Sequence, residues 1–116
     1  MAYDEGIAER LREVYAEVQD IAKKKRKLVE KKMFGGLAFM VDGHMSCGVV
    51  KDELMVRVGP DRFDEALRRP YARKMDFTGK PLKGFVYVEP EGYASDQDLQ
   101  TWVKLSLEFV ATLPPK

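Results

Sequence analysis

The sequence predicts a single α+β domain of two layers, a mostly antiparallel sheet packed with helices, in the order α-β-β-β-β-α-(β)-β-α. Three observations carry this. Apolar residues recur at helical spacing near both ends of the chain. Between them, short apolar runs are separated by turn dipeptides at hairpin distance. The 116 residues suffice for one hydrophobic core and fall short of two ordinary domains, so the domain is 1-116.

Asp4 is a suitable N-cap, and Ile7, Leu11, Val14, Val18 and Ile21 follow at spacings of four and three, which predicts a core-facing helix. From Leu28 the pattern turns to β. Met33-Phe34 lead into Gly35-Gly36, a pair suited to a bulge or tight bend. Leu37 to Val41 run into Asp42-Gly43, a strong hairpin signal, and His44 to Val50 form the return strand. Lys51-Asp52 make a second turn before the strand Glu53 to Val58.

Gly59-Pro60-Asp61 predict the start of a short helix with proline at its first position, faced by Phe63, Ala66 and Leu67 and stopped by Pro70. Arg73 to Phe77 read as an edge strand, Thr78 to Pro81 as a turn, and Phe85 to Val88 as a strand closed by Pro90 and Gly92. Ser95 caps the last helix, whose inward stripe is Leu99, Trp102, Val103, Ser106, Phe109, Val110 and Leu113. The strands carry apolar residues on two faces. Phe39, Cys47 and Val56 point one way and Met40, Val50 and Met55 the other, so a sheet covered by helices on one side alone keeps a face for a partner or a second copy of the chain, as in a homodimer.

Composition narrows the function. With 45% hydrophobic and 34% charged residues the chain is globular, not disordered. Its 20 Lys+Arg against 19 Asp+Glu do not, as a whole, advertise nucleic-acid or membrane binding. The charges are unevenly placed: Lys23, Lys24, Lys25, Arg26, Lys27, Lys31 and Lys32 form a basic block in which Glu30 is the only acid. Such a block attracts phosphates, although interleaved aromatics for base stacking are missing. Cys47 is the single cysteine, the N-terminus lacks the order of a signal peptide, and no apolar run is long enough for a bilayer. These features place the chain in the cytoplasm.

Candidate chemistry is sparse. His44-Met45-Ser46-Cys47 contain metal-binding and nucleophilic residue types, with His44 and Ser46 on one face of a strand and Cys47 on the other. With one His and one Cys, only carboxylates or a second subunit could complete a four-ligand zinc site, and no nucleophile elbow or oxyanion loop accompanies them. Core packing is the better account of Met45 and Cys47. Thr78-Gly79-Lys80 reverses the order of a phosphate loop and Gly35-Gly36 is no dinucleotide fingerprint, so no cofactor is expected. Arg57, a charge within an apolar strand, suits either an anionic ligand or a carboxylate at a sheet edge.

Four segments together resemble the N-terminal domain of the TfoX/Sxy family: Met33-Phe34-Gly35-Gly36-Leu37-Ala38-Phe39-Met40, Gly43 to Val49, Leu54-Met55-Val56-Arg57-Val58-Gly59-Pro60, and Met75 to Gly84. Their order and spacing carry the resemblance over nearly the whole chain. It implies a two-layer α+β fold in a bacterial cytosolic protein. Two-domain members of that family regulate natural competence, acting with the cyclic-AMP receptor protein at particular promoters, and carry a second, helical domain. This chain reads as a stand-alone first domain, and the resemblance supplies no catalytic residues. The expectation is a non-enzymatic interaction module in transcriptional regulation, its partner the cyclic-AMP receptor protein or another transcription factor. Its candidate surface is Lys23, Lys24, Lys25, Arg26, Lys27 and Arg57. The alternatives are direct nucleic-acid binding through the 23-32 block, or a small-molecule-binding protein or enzyme with a pocket near His44, Cys47 and Arg57.

Overall fold

A computed structural model describes residues 4–17, 27–33, 35–77 and 80–114. The order of elements is as the sequence predicts: α1 (Glu5–Glu17), β1 (Leu28–Met33), β2 (Gly36–Val41), β3 (His44–Val50), β4 (Glu53–Arg57), α2 (Phe63–Leu67), β5 (Ala72–Phe77), β6 (Lys80–Val88), a 3-10 turn (Pro90–Tyr93) and α3 (Asp96–Val110). The six strands form one antiparallel sheet in the order β1-β2-β3-β4-β6-β5. Four strands follow as a meander, then β6 docks against β4 and leaves β5 at the edge.

Local chemistry explains the boundaries. The Asp4 carboxylate accepts from the amides of Gly6 (2.8 Å) and Ile7 (3.3 Å), two of the orphan donors at the start of α1. Ser95 accepts from Asp98 N at 3.0 Å and caps α3 in the same way. Asp42 and Gly43 both have positive φ, 53° and 88°, as the twist-matched hairpin turn between β2 and β3 requires.

Two expectations change. The short helix begins at Phe63, with Pro60 outside it, because Gly59 sits at φ +85° and turns the chain before a helix can start. The strand β6 begins at Lys80, so Lys80 and Pro81 belong to the strand. Val18 and Ile21, placed on the first helical stripe by spacing, lie outside the described residues.

All three helices of the described residues bury their side chains on the same face of the sheet. Ile7, Leu11, Val14 and Tyr15 of α1, Phe63 and Ala66 of α2, and Leu99, Trp102, Val103, Leu107 and Val110 of α3 share one core with Phe39, Cys47, Val49, Leu54, Val56, Val86 and Val88. The other face gathers a second cluster of Ala38, Met45 and Met55, flanked by Met40, Val50, Phe85 and Tyr87, and no described helix residue belongs to it. Two layers and a two-sided sheet are both present. Among the described residues no helix is long and apolar enough to cross a membrane.

Candidate functional site

The segment His44–Cys47 is structural. Five residues of β2, Leu37 to Val41, face six of β3, His44 to Val49, because Ser46 is an extra residue between the pairs Met40↔Met45 and Phe39↔Cys47. This β-bulge corrects the simple alternation expected from sequence: Ser46 and Cys47 both turn toward the helices. Tyr15 of α1 donates its hydroxyl proton to Ser46 Oγ at 2.7 Å and accepts from the Cys47 amide at 3.1 Å. Ser46 Oγ lies 2.8 Å from Ser106 Oγ of α3. The cluster is sealed: Tyr15, Ser46, Cys47 and Ser106 are each 0% exposed.

Burial sets the chemistry of these groups. It pushes the Cys47 thiol up to about 11 and the Tyr15 phenol well above its ordinary value, so both stay protonated at neutral pH. A protonated, inaccessible thiol is no nucleophile. His44, also buried, donates from Nε2 to the carbonyl oxygen of Pro114 at 2.6 Å and ties the chain after α3 to β3. Among the described residues no three of His, Cys, Asp and Glu are arranged to hold a metal ion.

Arg57 stands on an interior strand, with β3 on one side and β6 on the other. Its guanidinium carbon is 5.4 Å from the Phe85 ring centroid and 5.2 Å from that of Phe109. Burial draws its pKa below the ordinary value, and among the described residues it forms no ion pair. The expected carboxylate at a sheet edge is thus replaced by two aromatic faces, whose negative π-clouds attract a cation. His44, Cys47 and Arg57 have separate partners and do not act as one constellation.

At the end of β4 Arg57 lies between the two faces, against Phe85 of the face opposite the described helices and Phe109 of α3. One row of the face opposite those helices crosses all six strands in register, Lys31↔Ala38↔Gly48↔Met55↔Tyr87↔Arg73. Gly48 is needed in it, since a Cβ there would lie 2.7 Å from Met55 Cε and 2.7 Å from the Leu37 carbonyl oxygen. Arg73 covers the Tyr87 ring at 4.8 Å and pairs with Glu53. The centre of the face is therefore sulfur, phenyl and methyl, and Lys31, Arg57 and Arg73 place cations around it.

Of the basic block, Lys27, Lys31 and Lys32 are described and exposed at and beside the edge strand β1. Lys23, Lys24, Lys25 and Arg26 lie outside the described residues. The structure adds two arrangements that the sequence reading did not find. One is the Tyr15–Ser46–Ser106 cluster, for which a serine on the apolar stripe of the last helix was the available signal. The other is a cleft of about 200 Å³ beside Trp102, at the meeting of the turn before β5, the 3-10 turn and α3. Nothing local in sequence announces it, because its walls come from three separated segments.

A family model described as the TfoX N-terminal domain matches residues 20–110. Comparison with curated proteins and with solved structures gave no match.

Proposed function

The chain belongs to the TfoX N-terminal domain family, and from that premise we propose that it is a non-enzymatic interaction module in transcriptional regulation, related to the competence regulators. The observation that carries this reading is the sheet face opposite the described helices, with Met40, Val50, Phe85 and Tyr87 around a buried centre and Lys31 and Arg57 beside them. Methionine-rich and aromatic surfaces adapt to a partner's shape, and flanking cations select an acidic rim. The occupant is a protein, a transcription factor of the cyclic-AMP receptor protein type, with an apolar patch bordered by carboxylates.

The test is an anisotropy titration of the full chain against a labelled promoter duplex, with and without the cyclic-AMP receptor protein, at two salt concentrations. A supershift only in the presence of the receptor, lost in a Val50→Glu variant, supports the reading. Binding without the receptor that weakens steeply with salt points instead to Lys27, Lys31, Lys32 and the rest of the basic block as a nucleic-acid contact. No binding in either arm overturns both.

A further inference from the structure

We propose that the cleft beside Trp102 is a binding site for a small zwitterion, a free α-amino acid with an apolar side chain. The proposal stands apart from the sheet face and rests on three observations.

The first is backbone strain at the rim of the cleft. Tyr71 has φ +66°, a region costly for any residue with a Cβ and especially for a bulky one, yet the residue is 49% exposed. Glycine or asparagine would relieve the strain. The conformation is held from outside: Tyr71 O accepts from the Glu89 amide at 3.0 Å. Gly92 packs so closely that a Cβ on it would lie 3.1 Å from Tyr71 Cβ and 2.5 Å from Val88 Cγ1. The fold thus holds an aromatic ring at the rim of a cleft rather than in the core.

The second is charge. Arg69, Glu91 and Asp98 line the same cleft, and among the described residues no ion pair joins any of them to another or to a third group. A half-buried guanidinium and two exposed carboxylates border one small space, none of them paired with another, and complement a ligand that carries both signs on one carbon. The ligand carboxylate meets Arg69, and its ammonium meets Glu91 and Asp98.

The third is size and floor. Trp102 is 3% exposed and is fixed by donation from Nε1 to Gly92 O at 3.2 Å, with the Arg69 guanidinium 5.5 Å above its ring. Arg69 is thereby oriented by the indole while its N–H groups stay available. A volume of about 200 Å³ is below the roughly 300–1,000 Å³ of drug- and cofactor-sized sites, so a nucleotide does not fit. An apolar side chain has the Tyr71 ring to lie on.

The test uses the full chain, in which Trp102 is the single tryptophan and hence a local reporter. Titration with L-leucine or L-phenylalanine is expected to give a saturable change in Trp102 emission. L-Leucinamide, lacking the carboxylate, and N-acetyl-L-leucine, lacking the ammonium, are each expected to bind on the order of tenfold more weakly or worse, the usual effect of losing a hydrogen bond to a charged group. Arg69→Gln and Asp98→Asn are expected to weaken L-leucine by a similar factor, with thermal melts confirming that both variants fold. Tyr71→Gly is expected to weaken binding while leaving the melting temperature no lower, which a merely structural tyrosine would not do. The proposal is overturned if neither amino acid gives a saturable change, if both derivatives bind as tightly as L-leucine, or if the folded variants bind unchanged. These outcomes are independent of the promoter titration.

Discussion

The guanidinium of Arg57 and the ring of Phe109 face each other with 5.2 Å between the guanidinium carbon and the ring centroid, joining the end of β4 to the end of α3. Beside them Gly59 passes so near the ring that a Cβ would meet Phe109 Cδ1 at 2.3 Å. One aromatic side chain thus stacks on a cation and forbids any side chain on the turn that follows the strand.

Arg57→Met keeps much of the side-chain volume and removes the charge. Cation–π contact at a half-buried site is worth about 0.5–2 kcal/mol, and the loss is offset by no longer burying a charge. Urea denaturation is expected to show a change below about 1 kcal/mol, while partner binding falls. A large stability loss with partner binding intact would place Arg57 in the scaffold alone.

Gly59→Ala and Gly35→Ala separate two costs. Both glycines have positive φ, +85° and +75°, but a Cβ at Gly35 meets nothing within 4 Å. Gly35→Ala is expected to cost about 1 kcal/mol from backbone strain, and Gly59→Ala about 2 kcal/mol or more because the ring must also move. Denaturant midpoints of the two variants check the difference.

Tyr15→Phe leaves Ser46 Oγ without its donor and the Cys47 amide without its acceptor in a dry interior. The expected loss is about 1–3 kcal/mol. Combined with Ser106→Ala, the effects are expected to be non-additive by at least about 0.5 kcal/mol, because the three hydroxyls form one chain. Strict additivity in the double-mutant cycle would contradict a connected network.

Periodicity and turn residues made much of this fold legible. Asp42-Gly43 announced the hairpin, Asp4 and Ser95 announced caps that the structure confirms, and alternation separated Phe39, Cys47 and Val56 from Met40, Val50 and Met55. What stayed hidden depends on contacts between distant segments. No local signal says that Ser46 is an extra residue, since the bulge is defined only against β2 and is satisfied only by Tyr15 and Ser106. Leu107 was missed on α3 for a related reason: it lies 2% exposed beside the stripe that spacing selects, under cover from elsewhere. Arg57 was visible as an anomaly, but its aromatic partners come from β6 and α3.

Alkaline pH should weaken the fold through Cys47. Its folded pKa is raised to about 11 from an ordinary 9.0, so the unfolded chain releases a proton that the native chain retains. The stabilisation is complete below about pH 9 and is lost as pH rises toward 11. The Tyr15 phenol acts in the same direction at higher pH. Denaturation curves taken across this range are expected to show a shallower decline for Cys47→Ala, and a thiol reagent is expected to label the wild type only after unfolding.

Arg12 grips Glu30 with two bonds, Nε to Oε2 at 2.7 Å and Nη2 to Oε1 at 2.8 Å, tying α1 to the edge strand. The Arg12 hydrogen bonds hold the Glu30 carboxyl below its ordinary value of 4.5, so its contribution is present above that pH and is lost as pH falls through the lowered value. Both side chains are about one-third exposed, and Glu30→Gln is expected to cost no more than about 1 kcal/mol at neutral pH and nothing in strong acid. Thermal melts at the two pH values check it.

The bulge in β3 has a consequence for heritable length variation. In a regular strand such as β4, gaining or losing one codon reverses the facing of every residue beyond the change, exchanging core for surface. At Ser46 the chain already holds one residue more than its partner strand requires. An in-frame deletion there leaves Met45 and Cys47 as adjacent, oppositely facing residues, and His44 keeps its place opposite Val41. A lineage that lost this codon would keep both surfaces of the sheet and lose the hydroxyl that links Tyr15 of α1 to Ser106 of α3.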